Sequence, residues 1–452
     1  MKEIICIHVG QCGIQVGNAQ WELFCLEHCI QPDGQIVRGE GIKNEISEDS
    51  SSIFQEIKLG KYVPRSIFID TDPMVVDEVR NGRYKSLFHP DNLITCKEDA
   101  SNIFTRGFYA FGKQVLDISL DRIRKLADSC NNLQGFFIFN STGGGTGSGL
   151  CSQIMSRLSV DYNKKIRLGI TVFPSPQIST TVVEPYNSVL FTHQSLCDGL
   201  DLNIVIDNQA IYDICYNYLD IENPSYSNLN QLTAQIVSSL TTSIRFNGTL
   251  NTNLNEMFTN LIPYPRLLFM LSSNAPYVPY ENYCCQQPST YQISNSVFDS
   301  NNMMAKCDPR KGKYMACCML YKGDIVPQEV YKSIAQLKTK RTIEFVDWCP
   351  TGFKIGISRQ PQFTLIQKDL PQIERSVCMI SNSTAISQLF ENMSYKFDQL
   401  YTKRAFAHWF VGEGMDECEF SESIEDVAAL IKDYEEAGVE TSQEDNFVEE
   451  YE

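Results

Sequence analysis

Gly143-Gly144-Gly145-Thr146-Gly147-Ser148-Gly149 is the stretch of this 452-residue chain best suited to chemistry. It follows an apolar run at 135–139 and precedes a helical pattern opening at Leu150. Glycines at a strand–helix junction let backbone N–H groups converge on an anion with no Cβ in the way. The helix start adds positive dipole, and the Thr146 and Ser148 hydroxyls add donors. Phosphate suits such a loop. No GxxxxGK[ST] is present, so the segment is not a P-loop. A clear GxGxxG unit with an acidic residue at the next strand end is also missing, which weakens a dinucleotide reading. A second glycine loop, 10–18, follows the first apolar run and supports the first. Asp70 and Asp72 stand just before Pro73. Two carboxylates at a strand end beside phosphate could hold Mg²⁺ through water, or simply form a solvated turn. Asp99-Ala100-Ser101-Asn102 reads as a helix start, with Asp99 or Ser101 as its cap.

These residues need elements to hold them. Short runs rich in Ile, Val and Phe at 3–9, 66–70, 133–139, 166–173 and 202–207 read as strands. Helical stretches such as 101–127 and 150–160 lie between them. The alternation predicts an α/β fold, with a parallel sheet covered on both faces. A ligand then sits beyond the carboxyl ends of the strands. Residues 34–63 and 273–300 read as loops, and 209–221 and 229–245 as helices. Ile386, Leu389, Phe390, Met393, Phe397, Leu400 and Tyr401 share one face of a long helix. Ile424, Val427, Leu430, Ile431 and Tyr434 mark a second. The expected organisation is a parallel-sheet ligand domain over 1–207, an α/β intermediate domain over 208–383, and a C-terminal helical hairpin over 384–438. An acidic tail over 439–452 lacks periodicity and is expected to be disordered.

The formal charge is −17, and residues 413–452 contribute 16 carboxylates against the single base Lys432. The body is therefore almost neutral, which argues against a nucleic-acid partner. The 17 cysteines include no CxxC pair and suit a reducing, cytoplasmic setting. The five histidines are scattered and suggest no zinc site. Met1-Lys2-Glu3 leads straight into the first strand, and no run reaches about 18 apolar residues, so neither a targeting segment nor a membrane partner is expected.

The glycine run matches the signature of the tubulins, and nearly the whole chain, from Ile4 to about Glu436, resembles the alpha-tubulin family. Close stretches include 8–18, 117–128, 184–187, 207–215, 306–320, 338–355 and 403–415. The resemblance implies a GTP-binding domain, an intermediate domain and C-terminal helices. It implies a GTP-binding structural subunit of cytoskeletal microtubules in the cytoplasm, paired with beta-tubulin and polymerised head to tail. Lateral alpha-tubulin contacts are implied too, as are motors and associated proteins drawn by the acidic tail. By the same resemblance the phosphate side falls on Gln11, Cys12, Gln15, Asp99, Ala100, Ser101, Asn102, Ser141, Gly144, Gly145, Thr146 and Gly147. Ribose and base contacts fall on Ser179, Thr180, Glu184, Asn208, Tyr226 and Asn230, and the Mg²⁺ side on Asp70 and Asp72. Tyr226 can stack on a purine, while the two asparagines can read a guanine edge.

Glu256 stands where alpha-tubulins have a glutamate and beta-tubulins a lysine. The resemblance implies that it activates water on the next subunit's GTP, while the chain's own GTP stays intact. The chain departs from the alpha pattern at Asp72, Thr142 and Asn253, where glutamate, a bulky aromatic residue and a second acid are usual. Glu40 occupies the place of an acetylated lysine, with Lys43 nearest, and 276–290 diverges. A subunit with little GTP turnover is one alternative, and a dinucleotide oxidoreductase a remote other.

Overall fold

The computed structural model describes residues 2–36, 50–57, 60–175, 177, 179–246, 248–279, 288–339, 343–365, 371 and 373–439. Glu40, Lys43, most of the divergent 276–290 loop and all but the first residue of the acidic tail lie outside these residues.

Among the described residues there are twelve strands: β1 Glu3–Val9, β2 Phe54–Ile57, β3 Lys61–Pro64, β4 Ser66–Asp70, β5 Leu93–Thr95, β6 Leu133–Ser141, β7 Ile166–Phe173, β8 Leu202–Asp207, β9 Phe269–Ala275, β10 Tyr314–Gly323, β11 Phe353–Ser358 and β12 Arg375–Ser383. Ten form one sheet in the order β11-β10-β12-β9-β8-β7-β6-β1-β4-β5, and β2 pairs with β3 in a small hairpin. From β9 to β5 all pairings are parallel; β12 runs antiparallel to both β9 and β10. The α/β expectation holds. Helices cover both faces, so each central strand feeds two cores. Strand β1 shows this by its pleat: Ile5, Ile7 and Val9 enter one core, while Ile4 and Cys6 enter the other. The first core also takes Leu389, Phe390, Met393 and Phe397 of helix Ser387–Tyr401, and Val427, Leu430 and Tyr434 of helix Glu417–Gly438.

The pattern misreads several segments. Residues 10–18 are no loop: a helix spans Gly10–Glu27 and begins at its first glycine. Its glycines answer to packing. A Cβ at Gly13 would lie 2.3 Å from the Phe139 carbonyl oxygen of β6, so the helix can lie close on the sheet only without one. Likewise a π-helical turn, Thr146–Leu150, precedes helix Cys151–Asp161, so the glycine run itself enters the helix. The supposed loop at 34–63 contains β2 and part of β3, and that at 273–300 contains the end of β9 and helix Thr290–Ser296.

Candidate functional site

The carboxyl ends of β1, β4, β6, β7 and β8 open on one side of the sheet, and the loops leaving them meet there. Gly10 leaves β1 at φ +74°, and a Cβ on it would lie 3.1 Å from the Gly147 nitrogen. The two glycine segments are thus in backbone contact. Gly145 presses on a third loop: its Cβ would stand 2.7 Å from both the nitrogen and the oxygen of Ile103. Ser101 and Asn102, in that third loop, have left-handed φ values of 49° and 58°. Side chains brace the arrangement. The Thr71 hydroxyl lies 2.6 Å from that of Thr146, and it also donates to Asp99 and accepts from the Ala100 N–H, each at 3.3 Å. The Asn187 amide donates to the carbonyls of Asn102 at 2.8 Å and Gly143 at 2.9 Å.

Between these loops lies a cavity of about 490 Å³, the size of a nucleotide or drug-sized ligand site. Its lining takes in Gln11, Cys12, Gln15, Asp70, Asp72, Asp99, Asn102, Ser141, Gly144, Gly145, Thr146, Gly147, Thr180, Glu184, Asn208, Tyr226 and Asn230. Three expected residues stand outside it. Ala100 is buried within the third loop, and Ser101 is exposed, its hydroxyl accepting from Arg106 at 3.1 Å. Ser179 lines an adjoining cavity and donates to Glu184 at 2.7 Å. Val9, Val75 and Thr181 line the site without having been expected, beside Gly10 and Gly143 of the two glycine segments. Thr71 and Asn187 were missed as well, because their roles lie in long-range hydrogen bonds that spacing does not reveal.

The chemistry divides along the cavity. At the glycine end the backbone dominates, and Gly144 has only the Asn102 Oδ1, 4.0 Å away, where a Cβ would point. At the other end Tyr226 opens helix Tyr226–Arg245 and is 54% exposed, so its ring is available for stacking. Asn208 opens helix Asn208–Tyr218, held by Asp207, whose Oδ1 caps the Gln209 N–H at 2.9 Å. Glu184 is buried and turned to its own loop: it accepts from the Thr180 hydroxyl at 2.9 Å and from the Thr181 N–H at 3.2 Å. Burial pushes the Cys12 thiol up to about 12, so it lines the site as a neutral group.

Asp70 is buried, and burial raises its carboxyl to about 7, with Asp72 and Asp99 adding to the rise. Asp72 caps helix Pro73–Asn81 through the Met74 N–H at 2.9 Å. Among the described residues no cationic side chain pairs with Asp70, Asp72 or Asp99. Their oxygens do not all converge within the reach of one ion, so a hard divalent cation there would be held by one or two carboxylates and otherwise by water.

Glu256 is elsewhere. It lies in the first turn of helix Leu254–Leu261 and does not line the cavity. Its carboxylate pairs with Lys354 at 2.9 Å and accepts from the Asn253 amide at 3.1 Å, while Asn253 is in turn held by Lys2. Lys2 precedes the amino end of β1, whereas Gly10 follows its carboxyl end. Seven extended residues span roughly 23 Å.

The model of the Tubulin/FtsZ family GTPase domain matches residues 3–216, and that of the tubulin C-terminal domain matches residues 265–395. The chain belongs to the tubulin family. The GTPase-domain match takes in every strand end that borders the cavity, while Tyr226 and Asn230 of its lining lie beyond residue 216. The family is one of GTP-binding structural proteins. The C-terminal match takes in β9 to β12 and most of helix Ser387–Tyr401.

Proposed function

We propose that this chain is an alpha-type tubulin that keeps one GTP in its own cavity and supplies Glu256 to the GTP of the next subunit in a microtubule. The observation that carries the reading is the separation just described. Glu256 and the cavity lie toward opposite ends of β1, so the carboxylate can meet a nucleotide only on a neighbour stacked head to tail. Backbone N–H groups of 143–147 and 10–12 would hold phosphate. Tyr226 would stack on the base, with Asn208 and Asn230 reading its edge. Mg²⁺, held by Asp70 and Asp72 largely through water, would neutralise charge on the phosphate oxygens.

At the seam, Glu256 orients a water whose oxygen bonds to the γ-phosphorus as the bond to the β-phosphate oxygen breaks; the carboxylate takes the proton. The chain's own GTP would face a beta-tubulin residue and stay intact. The division into 1–207, 208–383, 384–438 and an acidic tail belongs to this reading. So do the beta-tubulin heterodimer, lateral alpha-tubulin contacts, tail-bound motors and associated proteins, and a cytoplasmic cytoskeletal location.

The test is polymer assembled with beta-tubulin from wild-type and Glu256→Ala chains, followed by γ-phosphate release. A loss of 10²- to 10⁴-fold is expected for removing a general base. Unchanged release would overturn the assignment. A second reading, a subunit that supports little turnover, is favoured by Asn253, an amide where a second acid is usual. Wild-type polymer that retains its γ-phosphate would select it.

A further inference from the structure

We infer that Lys354 and Asn253 are positioning residues for Glu256, with Lys2 as the strut behind Asn253. The inference rests on the assignment of Glu256 to the neighbour's GTP.

The observations converge from three distant parts of the chain. Glu256 Oε2 accepts from the Lys354 Nζ at 2.9 Å, and Lys354 lies on β11. Glu256 Oε1 accepts from the Asn253 Nδ2 at 3.1 Å, and Asn253 is the residue just before the helix. The Asn253 Oδ1 accepts from Lys2, which precedes β1. Each carboxylate oxygen therefore has one donor and keeps a lone pair for water. Two donors on two oxygens fix the plane of the group as well as its position, which a single contact does not.

The amide is suited to its place. Asn253 accepts on one side and donates on the other, so Lys2 dictates which end faces Glu256. Lys354, hydrogen-bonded and positively charged, also holds the Glu256 carboxyl below its ordinary value, with Lys2 and Asn253 acting in the same direction. The carboxylate thus meets its substrate ionised and oriented.

The Glu256 and Lys354 side chains are 41% and 31% exposed. An ion pair in that setting contributes little to folding. Its consequence belongs to the assembled seam, where a neighbour excludes water and the same charges interact more strongly. Misplacing a reacting group by about 1 Å can cost on the order of a hundredfold in rate.

The test is a double-mutant cycle on polymer assembled with beta-tubulin, reading γ-phosphate release per polymerised subunit and, separately, the critical concentration for assembly. Lys354→Met and Asn253→Leu should each slow release on the order of ten- to a hundredfold, with critical concentration changing less than threefold. Lys354→Arg should restore most of the rate. In a Glu256→Gln background, Lys354→Met should have no further effect, since positioning has nothing left to act on. A merely structural Lys354 would shift critical concentration, and its effect would persist in the Glu256→Gln background. That outcome, or normal release from Lys354→Met polymer, overturns the inference while leaving the role of Glu256 intact. Normal release from the Glu256→Gln single variant instead removes the underlying assignment and the inference with it.

Discussion

Gly144 and Gly145 are neighbours of the same type, yet they meet different surroundings. A methyl group on Gly145 would press on the Ile103 backbone at 2.7 Å, and backbone cannot move aside as a side-chain tip can. A methyl group on Gly144 would meet only the Asn102 Oδ1 at 4.0 Å, on the cavity side. Gly145→Ala should therefore cost about 1–3 kcal/mol of stability, typical of overpacking. Gly144→Ala should leave the melting temperature nearly unchanged but lower the guanine nucleotide retained after gel filtration. Thermal unfolding beside nucleotide content of the denatured protein separates the two. Equal loss of stability in both variants would show that the cradle is built for packing alone.

Helix Gly10–Glu27, helix Tyr226–Arg245 and strand β10 are tied by buried charge. Arg245 is fully buried, pairs with Glu27 and stacks 4.4 Å over the Phe24 ring. Glu27 also accepts from the Ser238 hydroxyl at 2.5 Å, and Lys322 of β10 donates to that hydroxyl at 2.9 Å. Burial lowers Lys322 to about 8, so it can lose its proton cheaply. Arg245→Met leaves the buried Glu27 carboxylate with only the Lys322 ammonium, 4.0 Å away, and should cost about 3–5 kcal/mol, read from urea midpoints. Adding Glu27→Gln should recover a large part of that loss, because the under-compensated carboxylate is gone and Lys322 can shed its proton. If the double variant is as unstable as the sum of the singles, packing by Arg245, not charge, ties these elements. None of this tie was legible in the sequence, since Glu27, Arg245 and Lys322 are far apart in the chain. The sequence did mark β1, β4, β7 and β8 at their observed bounds, because each is a short run dominated by Ile, Val, Leu and Phe and closed by a turn signal. It failed at β5, too short to show a pattern, and at 10–18, where glycines that serve helix–sheet contact look like turn residues. The glycine end of the cavity was legible because its residues are contiguous in the chain. The setting of Glu256 was not, because its partners come from residues 2, 253 and 354.

At the scale of the molecule, the cavity proposed to hold nucleotide and the carboxylate proposed to act on a neighbour, separated along β1, give each subunit two unlike ends. A cavity end has a use for a carboxylate end only when a second molecule brings it, and stacking such ends head to tail repeats without closing. This asymmetry makes a prediction that a cis-acting glutamate would not meet. When Glu256→Gln chains are mixed with wild-type chains in defined ratio and assembled with beta-tubulin, each variant disables the site on its neighbour only. Turnover per polymer should fall in linear proportion to the variant fraction. The nucleotide retained in the variant's own cavity should match wild type in identity and amount, because none of the residues lining that cavity has changed. Denaturing the mixed polymer and quantifying guanosine di- and triphosphate against the input ratio reads both quantities at once. Wild-type chains that hydrolyse the nucleotide in their own cavity, while the variant keeps its own intact, would place the action of Glu256 within its own subunit, against the distance that β1 sets between them.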